Sequence, residues 1–337
     1  MSLPPEPRAN PDLAGHDAAC AVLAAAARSG RLHHAWLLAG PPGIGKATLA
    51  FRFARWLLAG MPADVAGHPP LHVAATDPVF RRIASSAHAD LMTLAPDVAA
   101  GKVKRQIPVE QARDVPRFLS LTPAEGGFRV VVLDEAEAMH PSAANALLKT
   151  IEEPSRNTVL LIVSGTASAL LPTIRSRVRR LDLAPLGEAP MAGLLGRWLP
   201  DMPRADRERL ALAAAGSPGQ ALLLAEGEGL ALAQEADRVL AALANPDERG
   251  WFLLADRLAA VRDGSAFVLF WSLLRAAVAS GLARAAAGER PAWVGQRSLA
   301  EVSEAWSRIG AQAKRTELLN LDRKQSTLTM LGWLAGR

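Results

Sequence analysis

Over its first ~185 residues the chain alternates short, solidly apolar runs with longer stretches in which apolar positions recur every three or four residues. Five runs read as strands: AWLLAG (35–40), which is buried, DLMTLAP (90–96), FRVVVLDEAE (128–137), TVLLIVSG (158–165) and VRRLDL (178–183). The third, continuous and β-branched, is the one expected at the centre of a sheet. Between the first two runs, Leu49, Phe53, Trp56 and Leu57 form a helical stripe. SAANALLKTIEEP (142–154) reads as a helix stopped by Pro154. Strands alternating with helices predict an α/β domain with a parallel sheet.

Past APLGEAP (184–190) the strand signal ends. From there to Arg337 the pattern is helical, rich in Ala and Leu, with breaks at AAGSPGQA and ANPDERG. The expected division is 1–184 as the α/β domain, 185–243 as a small helical domain and 244–337 as a larger helical one. The most apolar stretch, 266–287, carries Arg275 in its middle and Arg284 near its end, which favours a buried helix over a membrane span.

Composition narrows this picture. One cysteine, Cys20, in 337 residues excludes a disulfide framework and a zinc site of several thiolates. The N-terminal stretch is polar and proline-rich, without the pattern of a secretory leader, and a cytoplasmic location is expected. A net charge of +5 suits a nucleic-acid partner without requiring one. The basic residues are scattered apart from Lys102, Lys104 and Arg105 and the group Arg177, Arg179 and Arg180. With no tyrosine and eight tryptophans, mostly in the helical half, core packing is favoured over a base-stacking platform.

The candidate chemistry begins at GPPGIGKATLA (40–50). Gly40, Gly45 and Lys46 match a phosphate-binding loop, with Gly43 inside it, and the loop lies between a strand and a helix. The pattern next asks for a hydroxyl on Mg²⁺, and Ala47 stands there; Thr48 follows one position late, rotated by ~100° on a helix. Asp134 and Glu135 end the third strand, where a doubly wound sheet presents its ligands.

HAWLLAGPPGIGK, VVVLDEAEAMHPSAANALLKTIEEPSRNTVLLIVSG and LLPTIRSRVRRLDL together resemble the clamp-loader branch of the AAA+ ATPases, as found in bacterial DNA polymerase III. The likeness covers about residues 14–184, and GSPGQALLL and LNLDRKQSTLTML extend it more faintly into the helical half. It implies a AAA+ P-loop domain, a small helical lid and a helical collar. By the resemblance Gly40, Gly43, Gly45, Lys46, Thr48, Asp134, Glu135 and Ser164 form a nucleotide site, Ser164 being the polar sensor. Arg177 matches the arginine that reaches in trans into a neighbouring subunit's ATP site, although Val178 replaces the cysteine after it. In hydrolysing members an arginine of the lid senses nucleotide; here Gly219 holds its place in 216–221.

The combination implies a non-hydrolysing subunit that donates its arginine. ATP binding would be weak or absent, and no zinc is expected: relatives insert a four-cysteine module near 60–90, where this chain has only His68, His72 and His88. The implied partners are gamma/tau-type and delta-type loader subunits in a hetero-oligomer, and through them the sliding clamp and primed DNA. Two rivals stay open: a hydrolysing motor subunit using Thr48, and a scaffold whose arginines only bind DNA.

Overall fold

The computed structural model describes residues 4–96, 106–165, 167–243 and 245–337, so the Lys102–Lys104–Arg105 group lies outside the described residues. The chain divides into two compact units, Met1–Leu194 and Leu195–Arg337.

The first unit is built on five parallel strands: β1 (Ala35–Ala39), β2 (Leu91–Leu94), β3 (Arg129–Leu133), β4 (Thr158–Ser164) and β5 (Arg179–Asp182). Their order is β2-β3-β4-β1-β5. This is the parallel sheet that the alternation of strands and helices predicts. Every residue of β1, β3 and β4 is buried, which explains why those runs lack polar alternation. The apolar run at 128–137 forms an interior strand, but the middle of the sheet is β4. That strand also stops earlier than the run does: Glu135 adopts left-handed φ (+48°) and a 3₁₀ turn, Ala136–Ala138, follows.

Helices cover both faces. On one side α1 (Asp17–Arg28) packs against α2 (Lys46–Leu58), which lies on β1, β3 and β4 and also touches α3 (Pro78–Ala84). On the other side α4 (Val109–Ser120) and α5 (Pro141–Glu152) enclose Leu37, Val131, Leu133, Leu160 and Ile162 with Val115, Leu119, Leu147 and Ile151. Local chemistry sets these helix ends. Asp77 caps α3 by accepting from the Val79 N–H at 2.7 Å, with Pro78 in the first turn. His140 does the same for α5, accepting from the Ser142 N–H at 3.2 Å before Pro141 fixes the first helical φ. A short α6 (Pro172–Arg175) leads into β5, and α7 (Glu188–Trp198) follows it.

The N-terminal segment is held from beneath by two buried arginines on α2. Arg55 donates to the carbonyls of Arg8 and Asn10 at 3.0 and 2.8 Å, and Arg52 to those of Pro11 and Pro70 at 2.9 and 2.8 Å. Burial, reinforced by Arg52, pushes the Arg55 guanidinium down to about 10.

The second unit is helical throughout: α8 (Arg204–Ala213), α9 (Pro218–Glu226), α10 (Gly229–Ala241), α11 (Glu248–Ala260), α12 (Ser265–Ala286), α13 (Leu299–Leu318) and α14 (Arg323–Leu334). Helix α12 is long and apolar enough to cross a membrane by composition alone. Its Phe267, Phe270, Trp271, Leu274 and Val278 are buried, and it packs between α8, α10 and α13. Gly310 of α13 allows close approach to α12: a Cβ there would lie 2.7 Å from the Arg275 guanidinium carbon, which sits 4.4 Å over the Trp306 ring.

Candidate phosphate cradle and an arginine at the opposite edge

Parallel pairing sets Ala39 beside Ser164 and, on the other flank, beside Asp182. The glycine loop therefore leaves the sheet at its carboxyl edge, next to the end of β4. Gly40 is required by close approach: a Cβ built on it would lie 2.4 Å from the Leu183 carbonyl oxygen. Gly43 and Gly45 also take positive φ, +74° and +101°. Gly45 is the N-cap of α2 and has no side chain to cap it, so the amino end of that helix opens on the loop without a side-chain cap. His16, buried behind the loop, contacts the Ile44 carbonyl at 2.7 Å through Nε2. As a carbonyl only accepts, Nε2 carries the proton in that contact.

Lys46 is buried at the start of α2, and its Nζ donates to the Pro41 carbonyl at 2.5 Å. Burial lowers its pKa, while the nearby carboxylates of Glu137 and then Asp134 act in the opposite sense. Burial likewise raises the pKa of Asp134. The Glu135 N–H, donating to Asp134 Oδ1 at 2.9 Å, and Lys46 both pull it back. Ser164 is fully buried at the end of β4. The loop glycines, Lys46, Asp134, Glu135 and Ser164 thus share the carboxyl edge of one sheet. This edge offers backbone N–H groups, a cation and an acid, the elements of a phosphate site.

Magnesium fits this donor set poorly. Ala47 has no oxygen, and Thr48 is 9% exposed on a different face of α2. Gly219 lies in the first turn of α9, behind Ser217, whose side chain accepts from the Gln220 N–H at 3.2 Å. Among the described residues no group of three or more His, Cys, Asp or Glu is arranged to hold a metal. His68 and His72 stack on each other with centroids 4.0 Å apart.

Arg177 lies elsewhere. Strand β5 pairs Arg179 with Trp36, so Arg177 lies level with the residues before β1, at the amino edge of the sheet. The glycine loop leaves from the opposite edge, roughly 15–20 Å away at ~3.3 Å per residue along the strand. Arg177 is exposed. It pairs with Glu152 of α5 at 2.8 Å and donates to the Thr173 carbonyl at 3.0 Å. Arg175, Arg179 and Arg180 are exposed beside it; Arg179 rests 4.8 Å over the Trp36 ring and Arg180 pairs with Asp182 at 2.7 Å.

Two features of this unit were not expected from sequence. Glu137 turns back to accept the Gly165 N–H at 2.9 Å, which places a third carboxylate at the cradle. Asp90, fully buried, pairs with Arg129 at 3.3 Å and accepts the N–H groups of Ala124 and Glu125 at 2.8 and 3.1 Å. That cluster ties the loop before β3 to the amino end of β2. Its sequence signals are Asp90, which opens the run 90–96, and Arg129, which opens β3.

Residues 15–187 match a family described as DNA polymerase III, delta subunit. A Pseudomonas aeruginosa protein named DNA polymerase III subunit delta' is 42% identical over 197 residues, 58% of this chain and 57% of that protein. Its Escherichia coli counterpart is 35% identical over 206 residues, 61% of this chain and 58% of that protein. The Escherichia coli DNA polymerase III subunit tau is 30% identical over 251 residues, 70% of this chain and 36% of that protein. The match thus spans under two thirds of the length of these curated relatives. Covering just over half of the chain, including the glycine loop, all five strands and Arg177, the family match shows that the chain belongs to the DNA polymerase III delta subunit family.

Proposed function

We propose that this chain serves as a delta-prime-type subunit of a DNA polymerase III clamp loader. In this role it does not hydrolyse ATP itself and lends Arg177 to a neighbouring subunit's nucleotide site. The observation that carries the reading is the separation of the two chemistries: Arg177 lies at the amino edge of the sheet, out of reach of this chain's own cradle at the carboxyl edge. A guanidinium so placed acts on phosphates held by another subunit or on none. Its pair with Glu152 is solvent-exposed, and such pairs contribute only ~0–1 kcal/mol, so the arginine can be released at little cost. Transferred to phosphoryl oxygens, its planar fork stabilises the charge that develops during hydrolysis.

The cradle supports the non-hydrolysing half of the reading. It keeps its glycines and Lys46, yet Ala47 supplies no metal oxygen and Gly219 no sensing cation. We assign it weak phosphate binding without turnover. The helical residues 185–243 and 244–337 would serve as lid and collar, joining gamma/tau-type and delta-type subunits in a cytoplasmic hetero-oligomer that places the clamp on primed DNA.

The test is DNA-free ATPase of the reconstituted loader, wild type against Arg177→Ala. One neighbouring site should slow by the ~10³–10⁵ that removal of a trans arginine costs. Bulk turnover should fall less, because other sites still fire. Arg177→Lys should rescue poorly, and the isolated chain should hydrolyse ATP at background. Equal DNA-free rates would remove the finger and favour a DNA contact by the exposed arginines. Turnover by the isolated chain that vanishes with Lys46→Ala would establish the motor reading instead.

A further inference from the structure

Resting on the reading of the glycine loop as a phosphate site, we propose that Glu137 bars the third phosphate, so that the cradle takes a nucleoside diphosphate in preference to a triphosphate. The residue sits in the 3₁₀ turn after β3 and reaches across to β4, where its Oε1 accepts the Gly165 N–H at 2.9 Å. Gly165 directly follows Ser164, and Ser164 is paired with Ala39, the residue before the loop. A phosphate chain laid over the loop and Lys46 runs its first two groups along the helix N-terminus. The third projects past Lys46 toward the ends of β3 and β4. There it meets a fixed carboxylate already bonded to the backbone just past β4.

Two further observations support the placement. The contact is built for this residue: a Cβ on Gly165 would lie 2.8 Å from Glu137 Oε1, so a larger residue would displace the carboxylate. The charge also reaches the cradle, because Lys46 feels Glu137 ahead of Asp134, and Asp134 feels it too. Fixed negative charge at the third-phosphate position disfavours the more highly charged ligand, while a diphosphate ending over Lys46 is less affected. Glu137 is exposed and outside the core, so replacing it leaves the fold intact.

The experiment is calorimetric titration of the purified full chain with ADP and with ATP at low ionic strength, where exposed charge is least screened. Wild type should bind ADP about tenfold more tightly than ATP, the ratio that about 1.4 kcal/mol represents. Glu137→Gln keeps the acceptor oxygen and loses the charge, and should bring the two affinities to within about twofold by strengthening ATP. Gly165→Ala, which pushes the carboxylate aside, should move the ratio the same way. Lys46→Ala should weaken both nucleotides. If both bind through Lys46 but the ratio is unchanged in Glu137→Gln, or if wild type binds ATP as tightly as ADP, the role of Glu137 is overturned and the phosphate site stands. If wild type and all variants bind neither nucleotide, the phosphate-site reading itself falls and takes this proposal with it.

Discussion

Asp134 shows what a candidate site residue costs the fold. Its pKa is raised chiefly by burial, above the ordinary 3.8. A group raised in this way contributes stability below its unfolded pKa and loses it as pH rises through the folded one. At neutral pH the ionised Asp134 is therefore a liability to folding. Asp134→Asn, which keeps an acceptor for the Glu135 N–H, should raise the thermal midpoint at pH 7. The gain should shrink steadily as pH falls toward 3.8, as thermal denaturation across that range would show. An unchanged or lowered midpoint at pH 7 would mean that Lys46 compensates the carboxylate fully. Asp134 and Lys46 were legible in the sequence because each belongs to a local pattern. Glu137 was not, because its significance depends on Gly165, 28 residues away in sequence and brought near by β4. His16, which meets Ile44 across a similar separation, was hidden for the same reason.

The strands were legible with and without two-sided burial: β1, β3 and β4 are wholly buried, whereas β5 is largely exposed. All five apolar runs became strands, and the helix at 142–154 appears as Pro141–Glu152. The reading overran at 128–137 because Ala136 continues the apolar appearance, whereas Asp134 and Glu135 open a turn that periodicity cannot register. Helix α2 hid its arginines in a similar way. Arg52 and Arg55 lie next to the stripe Leu49, Phe53 and Trp56, and only the structure shows that they satisfy carbonyls of the N-terminal segment. Caps, by contrast, are strictly local. Ser298 and Glu301 form a reciprocal capping box at the start of α13: Ser298 Oγ accepts the Glu301 N–H at 3.2 Å, and Glu301 accepts the Ser298 N–H at 2.7 Å. Ser298→Ala should lower stability by about 1 kcal/mol in urea denaturation. A change below ~0.3 kcal/mol would show that tertiary packing alone holds that helix end.

At the scale of the whole molecule, the helical unit carries most of the large apolar side chains left in solvent among the described residues. Leu318 is 84% exposed, and Leu319, Phe252 and Leu253 are each more than half exposed, while Leu331 and Leu334 are buried. The apolar supply of the last two helices is thus divided between core and surface. A chain ending near residue 200, after α7, should fold, because the five-stranded sheet and its covering helices lie before that point. It should fail to co-purify with gamma/tau-type and delta-type subunits. Co-purification equal to that of the full chain would move the assembly surface to the α/β unit. A cut at 246 is a poorer test, since it strips α10 of its neighbour α12. The opposed edges of the sheet carry one more consequence, and it concerns symmetry. A surface that gives at one edge and receives at the other is heterologous, so copies joined through it form a polar row rather than a two-fold pair. In such a row a member with a working giving edge and a silent receiving edge belongs at one end. On the proposed reading, the order of subunits in an assembly would then be encoded in single residues, Ala47 and Arg177.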